Sequence, residues 1–137
     1  MNDQEIAQLL STARTIAVVG LSGNPDRPSY GVAQYLQSKG YRILPVNPTI
    51  DSVLGEKCYA SVSETPEKAD VKVDIVDVFR RSEFVPALAE EAIEIGARCL
   101  WLQLGVIHEE AARRARDAGL LVVMDRCLAV ERSRLAG

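Results

Sequence analysis

Thr15-Ile16-Ala17-Val18-Val19-Gly20-Leu21-Ser22-Gly23-Asn24-Pro25-Asp26-Arg27-Pro28-Ser29-Tyr30-Gly31 decides how the rest of the chain is read. An uncharged, β-branched run ends at Gly20, a polar turn rich in Gly and Pro follows, and apolar residues then recur at Val32, Ala33 and Leu36. That pattern predicts a buried strand, a loop and a helix, with Gly40 as the glycine that stops the helix. The first N–H groups of a helix lack intrahelical partners and so suit an anion; in a doubly wound sheet the usual occupant is a ligand phosphate. The stretch therefore points to a phosphate-bearing ligand without naming a reaction.

Working outward, Asn2 or Asp3 caps a first helix with Ile6, Leu9, Leu10 and Ala13 on one face, and Glu5 completes a capping box with Asn2. After Gly40, residues 41–46 read as a second strand, in which Pro45 suggests an edge. A turn region follows from Thr49, and residues 57–60 read as a short strand. Residues 71–78, dense in Val and Ile, suit a buried parallel strand. A helix over 82–95 with Ser82 as its cap, a strand over 97–103, a helix over 108–118, a strand over 120–124 and a short helix over 127–134 complete the alternation. The expected fold is α/β: a three-layer, Rossmann-like, doubly wound and mainly parallel sheet of five or six strands, in one domain over 1–137.

The composition of the 137 residues, 47% hydrophobic and 26% charged, is that of a globular protein. No apolar run approaches the roughly 20 residues a bilayer demands, and the first residues lack a positive segment before an apolar core, so no membrane association and a cytoplasmic location are expected. A net charge of -3 argues against extended nucleic-acid binding, although a few arginines would serve a small phosphate ligand. Three irregularly spaced cysteines form neither a disulfide framework nor a zinc site.

The dinucleotide fingerprint is incomplete. In Gly20-Leu21-Ser22-Gly23 a serine holds the second glycine position, and the second strand ends on Asn47-Pro48 instead of the acid that would hold ribose hydroxyls. A nicotinamide-linked redox protein is thus the weakest of three readings, beside a module that binds its ligand without chemistry of its own and an enzyme acting on a thioester or nucleotide through Cys127 or Asp125. Around the expected carboxyl ends of the strands stand Ser22, Arg27, Asn47, Pro48, Phe79, Arg80, Arg81, Gln103, Leu104, Gly105, Asp125, Arg126 and Cys127. This set offers cations for phosphate, amides for polar edges and a ring for an apolar moiety. Cys127 beside a helix start and Arg126 is the candidate nucleophile, with Asp125 as its neighbour. His108, the only histidine, stands at a helix start where it caps or faces solvent. Asp74 and Asp77 cannot pair, because their spacing turns them to opposite faces of one strand; Asp77 is expected to hold a loop backbone or an arginine.

Five stretches together resemble the small stand-alone CoA-binding domain proteins, which are similar to the N-terminal domain of the succinyl-CoA synthetase alpha subunit. They are Ile16-Ala17-Val18-Val19-Gly20-Leu21-Ser22 with Arg27-Pro28-Ser29-Tyr30; Gly40-Tyr41-Arg42-Ile43-Leu44-Pro45-Val46-Asn47-Pro48; Val73-Asp74-Ile75-Val76-Asp77-Val78-Phe79-Arg80; Leu100-Trp101-Leu102-Gln103-Leu104-Gly105; and Asp125-Arg126-Cys127-Leu128. The resemblance implies coenzyme A or an acyl-CoA as ligand. By that resemblance Gly20, Ser22 and the loop to Ser29 would cradle the diphosphate with Arg27 available to a phosphate, and Asn47 and Pro48 would lie by the adenosine. Phe79 and Arg80 would line the next segment, and Gln103, Leu104, Gly105 and Cys127 would border the pantetheine. The synthetase's phosphohistidine domain and its lysine after the second strand have no counterpart here, so no ligase activity is expected.

Overall fold

The computed structural model describes residues 2–135; the outermost ends of the domain expected over 1–137 lie outside them. Helix α1 (Asp3–Thr12) starts as its sequence dictates: Asn2 Oδ1 accepts from the Glu5 N–H at 2.9 Å and Glu5 Oε1 accepts from the Asn2 N–H at 3.2 Å. Strand β1 (Thr15–Val19) leads through the loop into α2 (Pro28–Ser38), with Pro28 at its first position, where a missing N–H costs nothing. Then come β2 (Arg42–Val46), the short β3 (Ser52–Val53) and β4 (Glu56–Lys57), α3 (Thr65–Ala69), β5 (Ile75–Val78), α4 (Val85–Glu94), β6 (Cys99–Leu102), α5 (Glu109–Asp117), β7 (Leu121–Val123) and α6 (Leu128–Leu135).

Five strands form one parallel sheet in the order β2-β1-β5-β6-β7. Alternation along the strands splits the core in two. Ala17, Val19, Val76, Val78, Leu100 and Leu102 pack with Val85, Ala89 and Ala92 of α4 and Ala111, Ala112 and Ala115 of α5. Ile16, Val18, Ile43, Ile75, Cys99 and Trp101 pack with Ile6, Leu9 and Leu10 of α1, Ala33 and Leu36 of α2, and Leu128 of α6. Both faces are buried, which is why the strands read as nearly unbroken apolar runs.

Pro45 sits where its chemistry allows. β2 is an edge strand, Pro45 O turns outward to accept from the Tyr59 N–H at 2.8 Å, and Val46 O turns inward to accept from the Gly20 N–H at 3.0 Å. In a parallel strand a residue's N–H and C=O share a side, so the missing proline donor faces away from the ladder.

Four local expectations need correction. Residues 57–60 are not a strand of the main sheet: β3 and β4 make an antiparallel hairpin, and only Tyr59 bridges, to Val46. Leu54 and Gly55 at the turn have φ of 53° and 76°, the left-handed pair that a two-residue hairpin demands. The strand expected over 71–78 is regular only over β5, because the Asp74 carboxylate takes the N–H groups of Arg14 (2.8 Å) and Thr15 (3.1 Å) at its start. Ser82 opens a single 3₁₀ turn instead of capping a helix; its Oγ accepts from the Ile107 N–H at 2.9 Å, and α4 begins at Val85. Asp77 holds neither loop backbone nor arginine: its partner is the Gln103 amide. Among the described residues no helix is long and apolar enough to cross a membrane.

Candidate functional site

The carboxyl ends of β1, β5 and β6 open onto two adjoining depressions that share Pro28 and Phe79. The first, about 400 Å³, is lined by Gly20, Ser22, Arg27, Pro28, Ser29 and Phe79. The second, about 470 Å³, is lined by Pro28, Val32, Phe79, Arg80, Arg81, Gln103, Leu104, Gly105, Val106 and Cys127. Eleven of the sequence-predicted residues thus come together along one groove: Gly20, Ser22, Arg27, Ser29, Phe79, Arg80, Arg81, Gln103, Leu104, Gly105 and Cys127. Asn47 and Pro48 do not line it.

Gly20 is the joint that lets the loop approach β5. Its φ is +83°, and a Cβ there would stand 2.8 Å from Phe79 O and 3.0 Å from Arg80 Cδ. Beyond it the loop is fastened by its own side chains: Ser29 Oγ accepts from the Ser22 N–H (3.0 Å), Ser22 Oγ from the Asn24 N–H (3.0 Å), and Asn24 Oδ1 from the Asp26 N–H (2.9 Å). Such Asx and Ser turns fix the backbone without a regular element. Asn47 braces the loop from outside the groove: its Nδ2 donates to Leu21 O at 3.0 Å, while its Oδ1 accepts from Thr49 N–H (2.9 Å) and Oγ1 (2.6 Å). The Asn47 amide therefore ties the two loops together and keeps one Nδ2 hydrogen uncommitted among the described residues.

The groove is cationic although the chain carries a net charge of -3. Arg27, exposed just before α2, forms no ion pair with Asp26 or with any other described residue. The Arg80 guanidinium lies 4.2 Å from the centre of the Phe84 ring, and Arg81 pairs with Glu83 at 3.1 Å. On the far side, Asp125 Oδ1 accepts from the Gly105 N–H at 2.7 Å and Trp101 Nε1 donates to Arg126 O at 2.9 Å, fixing the loops after β6 and β7. Below them Gln103 Nε2 donates to Asp77 Oδ1 at 2.8 Å. Burial pushes the Asp77 carboxyl up to about 8, against the downward pull of that hydrogen bond.

Cys127 lines the groove, but His108 lines a different depression between α4 and α5, where its Nδ1 accepts from the Ala111 N–H at 3.1 Å and caps α5. Asp125 is occupied by Gly105. No thiol–imidazole couple is assembled, and among the described residues no group of three or more His, Cys, Asp or Glu could hold a metal ion. Cys99 is sealed in the core, its thiol pushed up by burial; Cys58 lies outside the groove. Among the groove residues Pro28, Val32 and Val106 were not singled out from the sequence. Pro28 carried a readable signal as a proline at a helix start, whereas two apolar walls look like any core valine.

A family model described as a CoA binding domain matches residues 14–133. The uncharacterized protein YneT of Bacillus subtilis is 47% identical over 126 residues, covering 92% of this chain and 90% of that one. Subunit alpha of ADP-forming acetate–CoA ligase II from Pyrococcus furiosus is 31% identical over 108 residues, which are 76% of this chain but 23% of that protein. Among solved structures, a hypothetical protein from Pyrococcus horikoshii superposes with a TM-score of 0.93 at 38% identity, over 100% of this chain and 94% of the other.

Proposed function

The chain belongs to the CoA-binding domain family, and from that premise we propose that the groove over β1, β5 and β6 holds coenzyme A or an acyl-CoA without ligase chemistry of the chain's own. The observation that carries this reading is the unpaired Arg27 at one end of a continuous groove whose other end is walled by Val32, Leu104, Val106 and Cys127. A charged, phosphate-rich head meets the arginine and the Gly20–Ser29 loop, and a narrow, less polar arm runs past Phe79 toward Cys127. Asn47 keeps the loop in place by its bond to Leu21 O.

The chain spans less than a quarter of the Pyrococcus furiosus ligase subunit, and the groove assembles no nucleophile and base of its own. Isothermal calorimetry with CoA, acetyl-CoA and NADH tests the reading. Micromolar or tighter binding of a CoA species is expected, with no heat from NADH, and Arg27→Ala should weaken CoA by about 1 to 3 kcal/mol. Absence of CoA and acetyl-CoA binding at millimolar ligand would end it.

A further inference from the structure

Asp77 is fully buried, and its Oδ2 is the one sealed side-chain polar atom among the described residues without a hydrogen-bond partner. Its Oδ1 takes the Nε2 proton of Gln103, a residue only 4% exposed. An amide has one donating and one accepting end, so committing Nε2 to Asp77 commits Oε1 to the opposite direction. Gln103 Oε1 accepts from no described residue, yet it is not among the sealed atoms, so it reaches solvent; the space that Gln103 lines is the groove. A buried carboxyl group is costly to keep in an apolar sheet, and β5 places it between Val18 and Trp101 with no cation paired to it. Packing alone would be served better by a leucine.

We propose that Asp77 is a positioning residue that sets ligand specificity: by holding Gln103 Nε2 it turns Gln103 Oε1 to the groove, which then selects a ligand arm bearing N–H or S–H donors, such as a pantetheine-type chain of secondary amides. This deepens the CoA reading and rests on it. Asp77 touches no ligand; it acts through Gln103.

Calorimetry on the full chain compares CoA with ADP, which lacks the arm. Asp77→Leu keeps the branched shape and withdraws the acceptor; it is expected to weaken CoA about tenfold while leaving ADP within about twofold. Asp77→Ala, a second route to the same loss, does likewise. Asp77→Asn, which returns an oxygen to the same place, restores most of the CoA affinity. Gln103→Leu matches Asp77→Leu, and combining the two adds nothing further. Unchanged CoA affinity in both Asp77→Leu and Asp77→Ala, or equal losses of CoA and ADP, overturns the positioning role. Failure of the wild-type chain to bind CoA instead removes the reading of the groove itself.

Discussion

Replacing Asp77 by asparagine should make the protein more stable, and by an amount that grows with pH. In the folded chain the carboxyl is fully buried without a paired cation, and its pKa is raised from 3.8 to about 8. In the unfolded chain it ionises near its ordinary value. Between those two pH values the unfolded state has released a proton that the folded state still holds, so rising pH favours unfolding; below the lower value and above the upper one the contribution is flat. The slope is about 1.4 kcal/mol per pH unit, so from pH 5 to pH 8 wild type loses roughly 4 kcal/mol through this one group. Asparagine keeps the shape and the acceptor for Gln103 Nε2 but cannot ionise, so Asp77→Asn should escape that loss. Urea denaturation of both proteins at each pH unit from 5 to 9 isolates the effect, because the other titrating groups cancel in the difference. A stability difference that stays constant across this range would refute the assignment of a raised Asp77 pKa.

Three further outcomes follow from the geometry. Gly20→Ala places a Cβ against Phe79 O at 2.8 Å in a left-handed backbone, so it should cost about 1 to 3 kcal/mol in a denaturant melt and weaken CoA binding; a wild-type melt would show that the loop yields there. Asn47→Ala removes the Leu21 and Thr49 bonds and should lower stability by about 1 to 2 kcal/mol, and CoA affinity should fall only as far as the loop loosens. Alkylation followed by peptide mass spectrometry should modify Cys127 well before Cys99, with CoA slowing the reaction at Cys127 alone; equal protection of Cys58 would misplace the ligand.

The layers and the sheet were legible because burial on both faces leaves a continuous apolar signal, and because Gly20, Gly40 and the Asn2–Glu5 box mark where elements begin and end. Harder to read were features decided by a distant partner. Ser82 looks like any helix cap until Ile107 is seen to use its hydroxyl, and Lys57 to Ala60 read as strand although the turn at Leu54 and Gly55 diverts the pairing into a hairpin. At the candidate site the polar and charged residues stood out by type, since strand ends are where such groups gather. Asn47 is ambiguous for the same reason: its amide suits a nucleotide and equally suits two neighbouring loops, and nothing local distinguishes them. Asp77 announced itself as an acid in an apolar strand, but its partner lies 26 positions away.

The two margins of the sheet differ from the ladder between them. At β2 a proline turns its donorless nitrogen outward and Tyr59 occupies the adjacent positions; at β7 only three residues are in register. Neither margin presents a long row of vacant donors and acceptors on which a second chain could build. Two copies that associate are therefore not expected to do so by extending one sheet into the other, and each sheet ends where its own chain ends it.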